Sequence, residues 1–204
     1  MTRRELRMIV VLLALFALTM TLSACQTSDE LTSVRVALVV SPGYYPNTVN
    51  EIRSALKKKG ANVVLVGAET GSVNYWGGTC QSVTIQQAIR DISIDDFDAL
   101  YVTDASALAR QGTPLKEAYV SDFLRAFVSE GKLVAGVGRG VTLLLEAGAL
   151  AGKPIAIVAP EQAIKDHGAT LAQGNVAEGE MILTATVDGI QELNKTFLER
   201  LAKQ

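Results

Sequence analysis

Short apolar, β-branched segments alternate with amphipathic helical segments along most of this chain, and that alternation constrains the fold more than any other feature. The opening pattern is a strand at 34–40, a helix over Thr48–Lys59 and a second strand at 61–67. A helix between two consecutive strands is typical of a parallel sheet with helices on its faces. The sequence therefore predicts an α/β fold: a three-layer αβα sandwich with a mostly parallel sheet, of the flavodoxin-like type.

The same alternation continues to the end of the chain. Further strands are predicted at 97–105, 132–138, 154–159, near Asn175–Val176 and at 180–186, and further helices at 85–91, 115–130, 141–148 and 189–202, with a helix or loop at 160–168. The Gly77-Gly78 pair in the segment 72–84 indicates a β-hairpin, because glycine supplies the positive φ of a tight turn. With no internal repeat, residues 34–204 are predicted to form one domain.

The N-terminus has the features of a bacterial export signal. Basic residues precede the apolar run Met8–Leu22, and small residues follow that run. The tetrad Leu-Ser-Ala-Cys ending at Cys25 resembles the bacterial lipobox, which implies cleavage before Cys25 and attachment of lipid to it. An uncleaved anchor helix is the alternative, but about 15 apolar residues are few against the roughly 20 that span a bilayer.

This interpretation divides the chain into a lipoprotein signal peptide at 1–24, a lipidated cysteine with a polar tether at 25–33, and the α/β domain at 34–204. The lipid on Cys25 would anchor the protein to a membrane of the cell envelope. Gln26 stands where an aspartate would resemble the inner-membrane retention signal, so we expect the periplasmic side of the outer membrane in a two-membrane bacterium. In a one-membrane bacterium we expect the outer face of the cell membrane.

Composition excludes several other classes of function. The formal net charge of −2 over 204 residues leaves no polybasic surface for nucleic acid. One histidine, His167, and one cysteine besides Cys25, Cys80, show no spacing suited to a metal, so we expect neither a metal nor a cofactor. Cys80 is a structural residue, an oxidation-prone thiol or a partner in an intermolecular disulfide.

The segment LVAGVGRGV at 133–141 predicts a buried strand that runs through a glycine-rich turn into a helix. Many α/β enzymes place a nucleophile at the tip of such a turn, and here the tip is Gly138. The amides of Gly138, Arg139 and Gly140 at the helix N-terminus form a candidate anion site. The alternative is that Arg139 is solvated or pairs with a carboxylate. A dinucleotide site is disfavoured, because Val141 stands at the last glycine of the Gly-x-Gly-x-x-Gly pattern.

The architecture, the early hairpin and the late segment GEMILTATVDGIQELNKTFLERL resemble the ThiJ/PfpI family of the class I glutamine amidotransferase-like superfamily, from Val34 to the C-terminus. The family's elbow pattern, A-x-C-x-G, places Gly138 at the cysteine and Gly140 at the glycine that follows. In many members a histidine precedes a proline after the next strand, and Ala159 stands there. The resemblance thus implies a retained fold that has lost its catalytic groups.

Two further positions depart from the family pattern. A glutamate that hydrogen-bonds the cysteine in many members is replaced by Asn47, with Tyr45 nearby. Asp104 and Ala105 stand where the family often has a glycine pair of the oxyanion region. Asp104 is a candidate partner for Arg139, in which case a salt bridge would fill the former pocket.

The sequence therefore predicts a lipid-anchored, non-catalytic envelope protein that binds a small anionic molecule or a protein partner. Its candidate ligand-binding residues are Gly138, Arg139, Gly140, Asp104 and Asn47, with no catalytic residue. Since family members commonly form dimers, a homodimer is a further expectation. The alternative is an active hydrolase or glyoxalase-like enzyme with relocated catalytic residues, which requires Cys80 or His167 beside the Gly138 turn.

Overall fold

The computed structural model describes residues 30–77, 81–109 and 114–204. Cys25 and Cys80 lie outside the described residues, together with the predicted signal peptide. The strands are β1 Arg35–Val39, β2 Asn62–Gly67, β3 Gly71–Asn74, β4 Ser82–Ile85, β5 Gln87–Ala88, β6 Ala99–Val102, β7 Leu133–Val137, β8 Pro154–Ile155, β9 Thr170–Leu171, β10 Val176–Glu178 and β11 Ile182–Ala185. The α-helices are α1 Pro46–Lys58, α2 Ala118–Ser129, α3 Arg139–Glu146, α4 Glu161–Asp166 and α5 Ile190–Leu201.

The central sheet has seven strands in the order β10-β11-β7-β6-β1-β2-β5. Every neighbouring pair is parallel except β10 and β11, which are antiparallel. The strands β6, β7 and β11 are buried at every residue, as expected for strands of a parallel sheet that is covered on both faces. The predicted mostly parallel α/β sandwich is confirmed.

Two pairs of helices cover the sheet. Helix α1 buries Val49, Ile52 and Leu56 on one stripe and packs beside α5, whereas α2 packs beside α3. The chain moves in opposite directions across the sheet from β1 to β2 and from β6 to β7. Because crossover connections are right-handed, the helices of these two units lie on opposite faces. No helix in the described part of the chain is long and apolar enough to cross a membrane.

Two local predictions were wrong. The helix predicted at 85–91 is replaced by the end of β4, by β5 and by a 3-10 turn, because β5 pairs with β2 at the sheet edge. The strand predicted at 154–159 is limited to Pro154–Ile155, since the next amide, that of Ala156, donates to the side-chain hydroxyl of Thr184. The hairpin predicted at 72–84 is present as the antiparallel pair β3 and β4.

The packed part of the chain begins before Val34, which corrects the predicted extent of the tether. Leu31 is fully buried, and its amide donates to the carbonyl of Lys59 at 3.0 Å. Glu30 forms an ion pair with Lys59 at 2.6 Å. Residues 30–33 are therefore part of the domain, beside the amino end of β1 and the carboxyl end of α1.

Candidate functional site

The carboxyl ends of β6 and β7 carry two residues that face each other across the sheet edge. The parallel register pairs Val102 with Gly136, so the positions two residues further on, Asp104 and Gly138, leave the sheet side by side. Ligands of open α/β sheets bind beyond the carboxyl ends of the strands. The candidate site is therefore built around this pair.

Gly138 forms the elbow between β7 and α3. Its φ is +56° and its ψ is −124°, a conformation that L-residues rarely adopt and that glycine adopts at little cost. Its amide donates to the carbonyl of Ala185 at the end of β11, at 2.9 Å. The backbone thus has the form of a nucleophile elbow, and the elbow residue has no side chain.

Asp104 occupies the space above the elbow. A Cβ on Gly138 would lie 2.8 Å from Cγ and 2.9 Å from Oδ2 of Asp104, closer than real Cβ contacts. The carboxylate is almost fully buried, and its Oδ1 accepts a hydrogen bond from the amide of Arg139 at 3.0 Å. Asp104 therefore caps the N-terminus of α3 from a neighbouring strand end, where a negative charge is favourable.

Hydrogen bonds from the segment after β1 fix the backbone of Asp104. Its carbonyl accepts from the amide of Tyr45 at 3.2 Å and from the hydroxyl of Thr48 at 3.3 Å. The Thr48 hydroxyl also lies 2.9 Å from the Tyr45 carbonyl. The segment after β1 thus holds the backbone of Asp104, and the amide of Arg139 holds its carboxylate.

Arg139 pairs with Asp104, as the sequence-based alternative proposed. Its Nη1 lies 3.4 Å from Asp104 Oδ1 and 3.4 Å from the Tyr45 hydroxyl, and its guanidinium lies 5.8 Å from the centre of the Tyr45 ring. Burial opposes the charge of Arg139, but Asp104 and Tyr45 outweigh that effect, so its pKa is raised. The Arg139 side chain is 42% exposed against 5% for Asp104, so the guanidinium faces solvent and the carboxylate does not.

Two clefts flank this ion pair. The first, of about 300 Å³, is lined by Asp104, Gly138, Arg139, Thr142, Ile157, Val158, Thr186, Val187 and Asp188. The second, of about 380 Å³, is lined by Tyr45, Pro46, Asn47, Thr48, Asp104, Arg139 and Val187. Asp104, Arg139 and Val187 line both clefts. The ion pair therefore forms the wall between them.

The structure brings together four of the five predicted site residues. Gly138, Arg139 and Asp104 are in contact, and Asn47 lies in the second cleft. Gly140 lines neither cleft, because it packs against β6: a Cβ there would lie 2.5 Å from the carbonyl oxygen of Val102. The anion site predicted at the helix N-terminus holds the Asp104 carboxylate, which accepts from the Arg139 amide.

The other predicted positions lie away from the clefts. Ala159 is half-buried against the core, and His167 is exposed at the carboxyl end of α4. Neither residue lines either elbow cleft. Within the described ranges, no group of three or more histidine, cysteine, aspartate or glutamate side chains is arranged to hold a metal ion.

Sequence reasoning missed the apolar residues at the mouths of the clefts. Val158 is 90% exposed, and Val187, in both cleft walls, is half-exposed. Trp76, for which the sequence left open packing on the sheet edge or an exposed contact surface, is exposed and stacks on Tyr45 at 6.1 Å between ring centres. For Val187 the available signal was its place just after the strand predicted at 180–186, and for Val158 its place near the end of the strand predicted at 154–159, but apolar type alone predicts burial.

Comparison with known proteins gives consistent results. The model of the DJ-1/PfpI family matches residues 34–200. General stress protein 18 of Bacillus subtilis is 25% identical over 173 residues, which cover 83% of this chain and 98% of that protein.

Solved structures show the same fold. A ThiJ/PfpI domain protein from Brachyspira murdochii superimposes with a TM-score of 0.75 at 16% identity, over 85% of this chain and 99% of that one. DJ-1beta of Drosophila melanogaster gives a TM-score of 0.68 at 18% identity, over 84% of this chain and 91% of that one.

Proposed function

The chain belongs to the DJ-1/PfpI family, and from that premise we propose that it is a lipid-anchored envelope protein that binds a small molecule at its elbow and performs no thiol chemistry there. The proposal rests on one observation: the Asp104 carboxylate occupies the space that a side chain on the elbow residue Gly138 would need. A cysteine at position 138 would begin with a Cβ 2.8 Å from Asp104 Cγ, so thiol and carboxylate compete for one space.

The unused hydrogen-bonding groups of the ion pair indicate the chemistry of the ligand. Arg139 uses Nη1 for both of its side-chain partners, and the described residues offer none to its Nη2 and Nε. Asp104 Oδ2 likewise accepts no hydrogen bond from a described residue. Arginine binds carboxylates in a bidentate manner, so an anionic ligand would bind through its carboxylate to Arg139. A hydroxyl or ammonium beside that carboxylate would donate to Asp104.

A protein partner is the second candidate, and the exposed apolar residues at the cleft mouths favour it. Trp76, Val158 and Val187 are large apolar side chains in contact with solvent near the ion pair. Aromatic residues are enriched at protein interfaces. A second copy of this chain or another envelope protein would bury them.

The position of the first packed residues, Glu30 and Leu31, indicates how the anchored domain would be oriented at the membrane. Cys25 and Glu30 are five residues apart, a separation of at most about 18 Å when extended. Leu31 is fixed beside the amino end of β1, whereas both clefts lie at the carboxyl ends of the strands. Lipid on Cys25 would therefore turn the amino edge of the sheet towards the membrane and leave the clefts facing away from it.

Ligand binding is tested with the chain from Gln26 onward, which retains every described residue of the core. Calorimetric titration compares L-lactate and glycine, which carry a donor beside the carboxylate, with acetate, which carries none. We expect lactate or glycine to bind more tightly than acetate, and Arg139→Ala to abolish binding, whereas Lys195→Ala, an exposed cation on α5, leaves it unchanged. Absence of binding by all three compounds would reject this ligand class and favour the protein partner, which crosslinking in envelopes would then identify.

The anchor is tested separately in the full chain. Metabolic labelling with radioactive palmitate should mark the protein, and Cys25→Ser should remove the label and release the protein from the membrane fraction. An unlabelled protein that stays in the membrane would instead support an uncleaved anchor helix.

A further inference from the structure

A third cleft lies away from the elbow, at the carboxyl ends of β1 and β2 and beside the β3–β4 hairpin. Its volume is about 230 Å³, and its lining includes Val40, Ser41, Ala68, Glu69, Ile85 and Leu115. It shares no lining residue with the two elbow clefts. A ligand in this cleft would therefore bind independently of the function proposed for the Asp104–Arg139 pair.

Ser41 gives this cleft an unsatisfied polar group. The residue is 1% exposed, and its Oγ has no hydrogen-bond partner among the described residues. Most buried polar groups of native proteins are hydrogen-bonded, and one without a partner costs free energy of folding. The hydroxyl of Ser41 would gain a hydrogen bond from a polar group that enters the cleft.

The rest of the lining indicates the polarity, charge and size of that partner. The inner walls are apolar, with Val40, Ile85 and Leu115 all buried. The acidic residue of the lining, Glu69, forms an ion pair with Arg90, so the lining residues that the structure describes offer no unpaired charge. Apolar walls without a free charge favour a neutral ligand over an ionic one. The volume is below the roughly 300–1,000 Å³ of sites for drug-sized ligands, so the ligand is small.

We propose that this cleft is a second binding site, for a small neutral molecule with an apolar body and one hydroxyl or carbonyl group that pairs with Ser41 Oγ. The apolar body fills the space between the ends of β1 and β2 and the hairpin. The polar group satisfies the buried serine, which selects oxygen-bearing molecules over hydrocarbons of the same shape.

Fluorine NMR tests this with two probes that differ chiefly in one hydroxymethyl group, 4-fluorobenzyl alcohol and 4-fluorotoluene, added to the chain from Gln26 onward. We expect the alcohol to bind and to lose about threefold to tenfold in affinity in Ser41→Ala, the range of one neutral hydrogen bond. Ala68→Leu, which fills the cleft, should abolish binding. Ser129→Ala, an exposed serine on α2, should change nothing.

Thermal unfolding without probe provides a second readout. Ser41→Ala should raise the melting temperature, because it removes an unpartnered buried hydroxyl. A lower melting temperature would mean that the hydroxyl already has a partner, such as bound water, and would overturn the proposal. Failure of the alcohol to bind, or equal affinity of Ser41→Ala and the unaltered chain for it, would also overturn it, whatever ligands the elbow clefts bind.

Discussion

Gly138 and Asp104 occupy a single space: a Cβ on Gly138 would lie 2.8 Å from Cγ of Asp104, although 34 positions separate the two residues in the chain. The parallel register of β6 and β7 brings them together. The glycine at the elbow and the aspartate above it are therefore complementary. A side chain on Gly138 would clash with Asp104, and a glycine at position 104 would leave a gap above the elbow.

Gly138→Ala should destabilise the protein by about 2–5 kcal/mol. The positive φ of the elbow costs an L-residue roughly 1–2 kcal/mol, and the contact with Asp104 adds a steric penalty of about 1–3 kcal/mol. Urea unfolding measures the change. In the Asp104→Gly background the penalty should fall towards the conformational cost alone, and equal penalties in both backgrounds would contradict the shared space.

Asp104→Asn should destabilise the protein by about 1–2 kcal/mol. The amide keeps the shape of the side chain but removes the negative charge that faces the N-terminus of α3 and the guanidinium of Arg139. Urea unfolding again gives the value. Asp188→Asn, an exposed carboxylate in the same cleft, is the matched control and should change stability by less than about 0.5 kcal/mol.

Tyr101→Phe should lower stability by about 1–3 kcal/mol at neutral pH. The buried Tyr101 hydroxyl donates to Asn194 Oδ1 at 2.7 Å, and its removal leaves that oxygen unsatisfied. The double variant Tyr101→Phe with Asn194→Leu should recover part of the loss, since both polar groups are then gone. A single variant as stable as the unaltered chain would show that the hydrogen bond contributes nothing.

The effect of Tyr101→Phe should also depend on pH. Burial, and secondarily the charge of Glu51, raise the pKa of Tyr101 above its ordinary value of 10. The folded state therefore keeps the proton that the unfolded state releases, so this contribution is complete below pH 10 and is lost as pH rises above it. Between pH 9 and 11 the stability gap between the two proteins should narrow by about 1.4 kcal/mol. A gap that stays constant over this interval would contradict the raised pKa.

Leu31→Ala should destabilise the domain by about 2–4 kcal/mol, although Leu31 lies in the segment that the sequence predicted as a tether. A chain that begins at Val34 should lose at least as much. Leu171→Ala, at a half-exposed leucine, provides the comparison and should cost less than about 1 kcal/mol. Thermal unfolding compares the variants, and equal losses for the two leucines would contradict the packing of Leu31.

Gly140→Ala and Gly148→Ala should separate steric cost from conformational cost. A Cβ on Gly140 would lie 2.5 Å from a carbonyl oxygen of β6, whereas a Cβ on Gly148 would meet nothing within 4 Å. Gly148 has a φ of +74°, so its substitution should cost about 1 kcal/mol through the backbone alone. We expect Gly140→Ala to cost at least about 2 kcal/mol in urea unfolding, because α3 must move away from the sheet.

Sequence periodicity predicted the long elements well and the short ones poorly. The strands β1, β2 and β7 and the terminal helix lie within two residues of their predicted bounds, since each buries an apolar run or stripe of its own. The two-residue strands β5 and β8 exist through pairing with β2 and β9, partners that are distant in the chain. The local sequence pattern does not indicate such pairings.

The same division applies to the candidate site. The glycine at the elbow between β7 and α3, which leaves that position without a nucleophilic side chain, could be predicted from the sequence, because it is a property of one residue in a locally predictable turn. The folded structure was needed to show that the Asp104 carboxylate fills the space above the elbow, that Arg139 lies between two clefts and that Gly140 packs against β6. These relations depend on which strands are neighbours and in what register, and that choice is made by the burial of the whole sheet.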